Sequence, residues 1–264
     1  MVNYETIEVV TGEGYVELIL NRPEVLNALN ERVAEELCDV LSWDREHDDV
    51  RAVLLRGEGR AFSSGGNLKE MERSLDGNPA EFFEVPLARI HDAALSLAQL
   101  PRPVVGAIHG FAAGAGFNLA LCCDLLLCSP ETRFHQAFVR IGVVPDTGGT
   151  FFLPRRVGYT RALEMFLLGD FVDAERALEI GIVNRVVPDG DLMDAAMALA
   201  TELASGPPLA QAAVKRLLRQ GKALPVEACF TEEARNVAEL SGTADAREGL
   251  ASMIERRPAT FTGR

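Results

Sequence analysis

Two spacings of apolar residues divide this chain. Up to about residue 188, short apolar runs alternate with stretches of helical period, and beyond Asp189 only the helical period recurs. Ile7-Glu-Val-Val10 and Val16-Glu-Leu-Ile-Leu20 flank a Gly12-Glu-Gly14 turn and read as a β-hairpin. Asn21 to Asn30 reads as a loop. Glu31 to about Trp43 follows as an amphipathic helix with Val33, Leu37, Cys38, Val40 and Leu41 inward. Val50-Arg-Ala-Val-Leu-Leu55 is the next strand, closed by Gly57-Glu-Gly59. The charged stretch near residues 72–84 gives no period, and a helix runs from about Pro86 to Leu100. Asp124-Leu-Leu-Leu-Cys128 is a further strand, and Phe134 to Thr150 is an irregular connection. Residues 160–169 and 173–180 are helical, and Ile182 to Val187 is a short strand. Strands alternating with helices predict an α/β architecture. Four helices close the chain, at about 190–204, 208–220, 225–240 and 243–256. They are too thin a set to build a core alone, so they must pack on the α/β body or on another subunit.

The stretch that organises the rest is the apolar run Pro103-Val-Val-Gly-Ala-Ile108, continued through His109 into Gly110-Phe-Ala-Ala-Gly-Ala-Gly-Phe-Asn-Leu-Ala-Leu-Cys-Cys-Asp124. The apolar run has no solvated face, as in a strand covered on both sides. The small residues after it suit a turn that other groups approach closely, and Phe117, Leu119, Ala120, Leu121 and Cys123 suit a helix buried nearly all round. A helix N-terminus at Gly114-Ala115-Gly116 aims free backbone N–H groups above the strand. Such a terminus serves either as a phosphate cradle or as a hole for a developing oxyanion. The Lys-Ser/Thr of a P-loop and the full G-x-G-x-x-G spacing are missing, which weakens the phosphate reading. Gly65 and Gly66, in Ala61-Phe-Ser-Ser-Gly-Gly-Asn-Leu-Lys69, mark a second backbone segment of close approach.

Composition narrows the function. At 264 residues and 48% hydrophobic content, the chain can bury a large core. A net charge of −13, from 26 basic and 39 acidic residues, argues against a nucleic-acid surface, though it permits a local basic pocket. No apolar run reaches spanning length, and Met1-Val-Asn-Tyr-Glu lacks a signal peptide's basic start, so a soluble, cytoplasmic protein without membrane contact is expected. Five cysteines, Cys38, Cys122, Cys123, Cys128 and Cys229, sit in mostly apolar company and read as buried reduced thiols.

Candidate chemistry is sparse. Ser63 lies in a partial G-x-S-x-G elbow whose first glycine is missing, and none of His91, His109 or His135 comes late in the chain as a hydrolase triad requires. His109 reads as a core histidine and His47 as part of a charged surface stretch. The four histidines are too scattered for a metal site. Asp124 reads as structural. Asp146, in Gly142-Val-Val-Pro-Asp-Thr-Gly-Gly-Thr150, has two readings. It is an N-cap for a helix starting at Thr147, or a carboxylate in a pocket from which Phe138, Val143 and Val144 exclude water and raise its basicity.

Asn21-Arg-Pro with Leu26-Asn-Ala-Leu, Ala61-Phe-Ser-Ser-Gly-Gly-Asn-Leu, Pro101-Arg-Pro103, the Gly110 to Asp124 stretch, Gly142-Val-Val-Pro with Gly148-Gly-Thr, and the final Arg257-Pro with Phe261-Thr-Gly together resemble the crotonase superfamily of enoyl-CoA hydratases and isomerases. The resemblance covers nearly the whole chain. It implies a spiral of ββα units over residues 1–195, a helical region at 196–264 that assembles a homotrimer or a dimer of trimers, and an acyl-CoA substrate. Coenzyme A would enter as part of the substrate, with no separate cofactor and no metal. By the same likeness the Gly66 and Ala115 N–H groups form the oxyanion hole. Val25, Ser64, Gly65, Asn67 and Leu68 fall at substrate-binding positions. So do Asn118 and Phe138, which stand where a typical hydratase of the family carries two glutamates. Neither can act as a base. Asp146 falls where the epoxyphenylacetyl-CoA isomerases and chlorobenzoyl-CoA dehalogenases of the superfamily carry a catalytic aspartate, and its run looks closest to the isomerase type. The resemblance therefore implies an acyl-CoA isomerase. Its alternatives are an enoyl-CoA hydratase and a non-catalytic paralogue that only binds CoA thioesters. Restoring glutamate at 118 and 138 is expected to raise hydration.

Overall fold

A computed structural model describes residues 3–42, 49–74 and 76–264. The expected end of the first helix near Trp43 and the placement of His47 lie outside the described residues. The hairpin forms as β1 (Ile7–Thr11) and antiparallel β2 (Tyr15–Leu20). It starts a six-stranded sheet in which β2 is followed by β3 (Ala52–Gly57), β4 (Val104–Ile108), β6 (Leu125–Cys128) and β9 (Arg185–Val186), all parallel.

Both faces of this sheet are covered, which explains the runs without a polar face. Val53 and Leu55 of β3, Val104 and Ile108 of β4, and Leu126 of β6 point into one core with α1 (Glu31–Leu41), α3 (Pro79–Gln99) and α4 (Gly114–Leu121). Their neighbours Ala52, Leu54, Val105, Ala107 and Leu127 point the other way, onto Leu192, Ala196, Leu199, Ala200 and Ala204 of α8 (Leu192–Ala204). The period of two is present, but every position of β4 is apolar because helices cover both sides. Truncating a residue such as Ile108 to alanine at such a site costs about 2–5 kcal/mol.

Some elements differ from the expectation. A second sheet of three short strands, β5 (Phe111–Ala113), β7 (Arg133–His135) and β8 (Phe171–Asp173), stands where a turn and irregular chain were expected. Three-residue strands are too short to show alternation, and their pairing is set entirely by contacts distant in sequence. Residues Leu68–Ser74 form a short helix, α2, started by Asn67, whose Oδ1 accepts from Lys69 N–H at 3.1 Å. α3 begins at Pro79 and carries Pro86 inside it, where the sequence suggested a start. Either proline suits a first helical turn, and the earlier one takes that place.

α5 (Gly149–Val157), α6 (Tyr159–Leu168) and α7 (Ala174–Glu179) connect the sheets to α8. The last helices form as read: α9 (Pro208–Gly221), α10 (Val226–Leu240) and α11 (Ala244–Glu255). The division drawn at 195/196 falls within α8, whose apolar side belongs to the core of the sheet. α9 is pinned to the body by Lys215, whose ammonium pairs with Asp124 at 2.5 Å and donates to the Arg102 carbonyl at 2.6 Å. Asp124 also accepts from Val104 N–H at 2.8 Å, so its role is to tie the start of β4 to the tail. Beyond α9 large apolar side chains stay exposed, among them Phe230, Val237, Leu250, Met253 and Ile254. Among the described residues no helix is long and apolar enough to cross a membrane.

Candidate active site

The site is assembled from three backbone segments and one peptide turn. α4 begins directly at the end of β5, with Ala113 extended before it and no side chain capping its first N–H groups. The Ala115 N–H therefore has no acceptor within the helix. Beside it runs the 61–66 segment, held along β5 by Ser63 N–H to the Phe111 carbonyl at 3.1 Å and Ala113 N–H to the Ser63 carbonyl at 3.0 Å. Gly65 adopts φ +81°, and a Cβ there would lie 2.6 Å from the Ala113 carbonyl oxygen and 3.0 Å from Ala115 N. Only glycine fits this position, which brings the Gly65-Gly66 backbone against the α4 terminus. Among the described residues the Gly66 N–H meets no protein acceptor.

A third segment supports the second. Leu26 and Asn27 both take positive φ, 55° and 53°, a costly conformation for side-chain-bearing residues. The Asn27 side chain holds it: Oδ1 accepts from Arg22 N–H, and Nδ2 donates to the carbonyls of Glu58 and Ala61, all at 2.8 Å. The Leu26 carbonyl then accepts from Ser64 N–H at 2.9 Å, and Leu29 N–H donates to the Gly65 carbonyl at 2.7 Å. Val25, Ser64 and Gly65 are thus brought to one place. Ser63 is fully buried, its hydroxyl donating to the Asn27 carbonyl at 2.8 Å and accepting from Gly65 N–H at 3.2 Å. It is a strut of this loop, not a nucleophile. Asn67 is engaged with Lys69 and with Glu70, at 2.9 Å, in starting α2, and Leu68 is exposed.

Asp146 is not a helix cap, contrary to one reading of its sequence. α5 starts two residues later than the cap requires, at Gly149, with Gly148 at φ 75° before it. Thr147 takes φ 48° and Gly148 follows in the same region, so the chain turns before the helix and carries the carboxylate away from its N–H groups. The backbone carbonyl of Asp146, not its side chain, accepts from Gly149 N–H at 2.8 Å. The carboxylate accepts from its neighbour, Thr147 Oγ1, at 2.9 Å. Partial burial raises its pKa above the ordinary aspartate value, offset in part by the Thr147 hydrogen bond. Phe138 is buried close to Gly114, but Val143 and Val144 are 42% and 79% exposed, so they do not exclude water from the carboxylate within the single chain.

Asn118 links Asp146 to the α4 terminus. It lies three residues past Ala115, on the same side of the helix, and is fully buried. Its Nδ2 donates to the Asp146 carbonyl at 2.8 Å, and its Oδ1 accepts from Gln136 Nε2 at 2.7 Å. Gly149 faces it so closely that a Cβ there would lie 2.4 Å from Asn118 Nδ2. Asn118 is therefore enclosed and doubly bonded, and expecting a glutamate in its place to act on water overlooks these bonds. Sequence reading also missed His91. From α3, 56 residues away, its Nε2 accepts from Thr147 N–H at 3.1 Å. No local signal marks such a pairing.

His109 and His135 are structural. His109 bonds the Gly59 carbonyl, and His135 bonds the Gly169 carbonyl and stacks on Phe171. All five cysteines are free, and burial pushes the Cys122 and Cys128 thiols up to about 12 and about 11, which leaves them inert at neutral pH. Among the described residues no group of three His, Cys, Asp or Glu side chains is placed to hold a metal ion.

Two adjoining N–H donors and one carboxylate of raised basicity suit proton transfer next to a carbonyl whose oxygen gains charge. Comparison with known proteins points the same way. The family model for enoyl-CoA hydratase/isomerase matches residues 11–264. A Rhodobacter capsulatus protein described as "Probable enoyl-CoA hydratase" is 41% identical, over 99% of this chain and 100% of its own. The 1,2-epoxyphenylacetyl-CoA isomerase of Escherichia coli K12 is 36% identical, over 96% of both chains. The crystal structure of an enoyl-CoA hydratase from Bacillus anthracis superimposes with a TM-score of 0.92 at 30% identity, covering 98% of this chain and 100% of that one. On motif, fold and site alike, the chain belongs to the enoyl-CoA hydratase/isomerase family of the crotonase superfamily.

Proposed function

We propose that this protein is an acyl-CoA isomerase, which shifts a double bond or rearranges a CoA thioester by proton transfer. The observation that carries this reading is the pairing of Asp146 with an enclosed Asn118: the residue that bears the carboxylate is bonded through its backbone to the helix that carries Ala115, and the Asn118 amide is spent on that bond. Asp146 removes a proton from carbon activated by the thioester. The N–H groups of Gly66 and Ala115 hold the enolate oxygen, and Asp146 returns the proton at another carbon. Intramolecular transfer needs one base, whereas hydration needs water to be activated and a proton delivered. Val25, Ser64, Gly65 and Phe138 surround the acyl group in this reading. Coenzyme A belongs to the substrate, and the exposed apolar faces of α10 and α11 meet other subunits in a trimer.

A hydratase is the second reading, favoured by the 41% identical relative of that description. Turnover of a panel of enoyl-CoAs separates the two. An isomerase gives a shifted or rearranged thioester with Asp146-dependent exchange of the transferred proton. A hydratase gives a hydroxyacyl-CoA, and a chain that merely binds gives affinity without product.

A further inference from the structure

Asp146 and Thr147 share one peptide group, and both of its ends are gripped by side chains from other elements. Its carbonyl accepts from Asn118 Nδ2 of α4 at 2.8 Å, and its N–H donates to His91 Nε2 of α3 at 3.1 Å. The same carbonyl also caps Gly149 N–H, so the peptide plane is fixed by three partners. The residue after it is strained: Thr147 is fully buried at φ 48°, a region β-branched residues avoid. Strain of this kind persists only where surrounding bonds over-determine the backbone. Rotation of this one peptide would change φ of Thr147, the residue whose hydroxyl holds the Asp146 carboxylate, and so disturb where that carboxylate sits.

We propose that His91 and Asn118 form a peptide clamp that positions Asp146 for proton transfer, with His91 acting as a neutral acceptor through Nε2 and not as a proton carrier. This rests on the isomerase reading above. The bond from Thr147 N–H requires an unprotonated Nε2, which places the imidazole proton on Nδ1. Gln136 completes the arrangement by donating to Asn118 Oδ1, which leaves the Asn118 amide nitrogen directed at the Asp146 carbonyl. The clamp draws its two jaws from α3 and α4, 56 and 28 residues from the peptide they hold. It thereby makes the geometry of the base depend on how α3 packs beside α4.

Four variants of the full chain test it: His91→Leu, His91→Gln, Asp146→Asn, and His91→Leu combined with Asp146→Asn. Glutamine places an acceptor oxygen near the position of Nε2, and leucine has none. With the clamp in place, His91→Leu lowers kcat by roughly 10- to 100-fold while KM moves little, the loss expected for a base displaced by about 1 Å. It also speeds Thr147 amide exchange by on the order of 10-fold, as a protected N–H opens. His91→Gln recovers most of both. In the Asp146→Asn background the leucine adds nothing further, because the two residues act as a unit. If Thr147 exchange and kcat are unchanged in His91→Leu, the clamp is wrong. If His91→Gln restores slow exchange but not turnover, His91 handles protons itself and the positioning role is overturned. Near wild-type turnover by Asp146→Asn alone removes the isomerase reading, and with it any catalytic purpose for the clamp.

Discussion

Asn118→Glu is the substitution that family likeness recommends for making a hydratase, and the structure predicts that it fails by unfolding the site. The asparagine is fully buried, with a donor on the Asp146 carbonyl at 2.8 Å and an acceptor on Gln136 at 2.7 Å. An ionised glutamate replaces the donor with a second acceptor, leaving oxygen facing oxygen at a cost of about 1–3 kcal/mol. The extra methylene has no space, since the Gly149 backbone already adjoins the amide, and overpacking of this kind costs about 1–3 kcal/mol. A carboxylate desolvated there takes up a proton in preference to staying charged, which adds a pH-dependent penalty. The two quantified terms come to roughly 2–6 kcal/mol, a large share of an ordinary folding stability of about 5–15 kcal/mol.

Asn118→Gln separates the terms, because it keeps the amide and bears only the extra methylene. Urea midpoints of both variants and wild type, taken at pH 5 and pH 8, provide the assay. The glutamate's folded-state pKa is raised above its unfolded value of about 4.3, so the native state holds a proton the unfolded chain has released. Stability therefore falls as pH rises through that window, and the gap between the Glu and Gln variants must widen from pH 5 to pH 8. Equal midpoints for the two at pH 8 would refute an enclosed Asn118. So would an Asn118→Glu protein of wild-type stability that hydrates crotonyl-CoA.

Asp146→Asn should lower isomerisation by at least roughly 100-fold in kcat, the usual scale of a lost general base, with affinity for the acyl-CoA kept. Asn Oδ1 still accepts from Thr147 Oγ1. Because burial makes the ionised Asp146 a cost to the native state at neutral pH, the variant should unfold no earlier than wild type in the same urea titration. For the same reason kcat/KM should fall as pH drops through a value above the ordinary aspartate range, and a pH–rate profile with its acid limb at or below that range would contradict the raised pKa. Ala115→Pro removes one oxyanion donor and should cost roughly 100- to 1,000-fold in rate with less effect on binding, whereas Ala115→Ser keeps the donor; equal turnover by a folded proline variant would exclude Ala115 from the hole. The exposed Phe230, Val237, Leu250, Met253 and Ile254 should be covered by other subunits, so light scattering at micromolar concentration should show a trimer or hexamer and not a monomer.

The sequence by itself determined the large parallel sheet and the helices packed on it. Buried strands such as Val104–Ile108 are apolar at every position, and the helices of the tail repeat with a clear period, so local composition carries the signal. It also marked the backbone of close approach proposed above as the oxyanion hole, because only glycine permits the approach at residue 65, and a glycine pair is visible without coordinates. The small sheet was hidden, since three residues such as Phe111–Ala113 cannot show a period. Whether Asp146 caps a helix was undecided until the tertiary structure placed Thr147 and Gly148 at positive φ and started the helix at Gly149. Asn118 looked like a vacated catalytic position and proved to be a bonded strut. The bond from Thr147 to His91 left no sign in the sequence. The bonds of Asn118 to Asp146 and of His91 to Thr147 join residues 28 and 56 positions apart. Bonds of that range are set by how the helices pack and leave no pattern in the neighbouring residues.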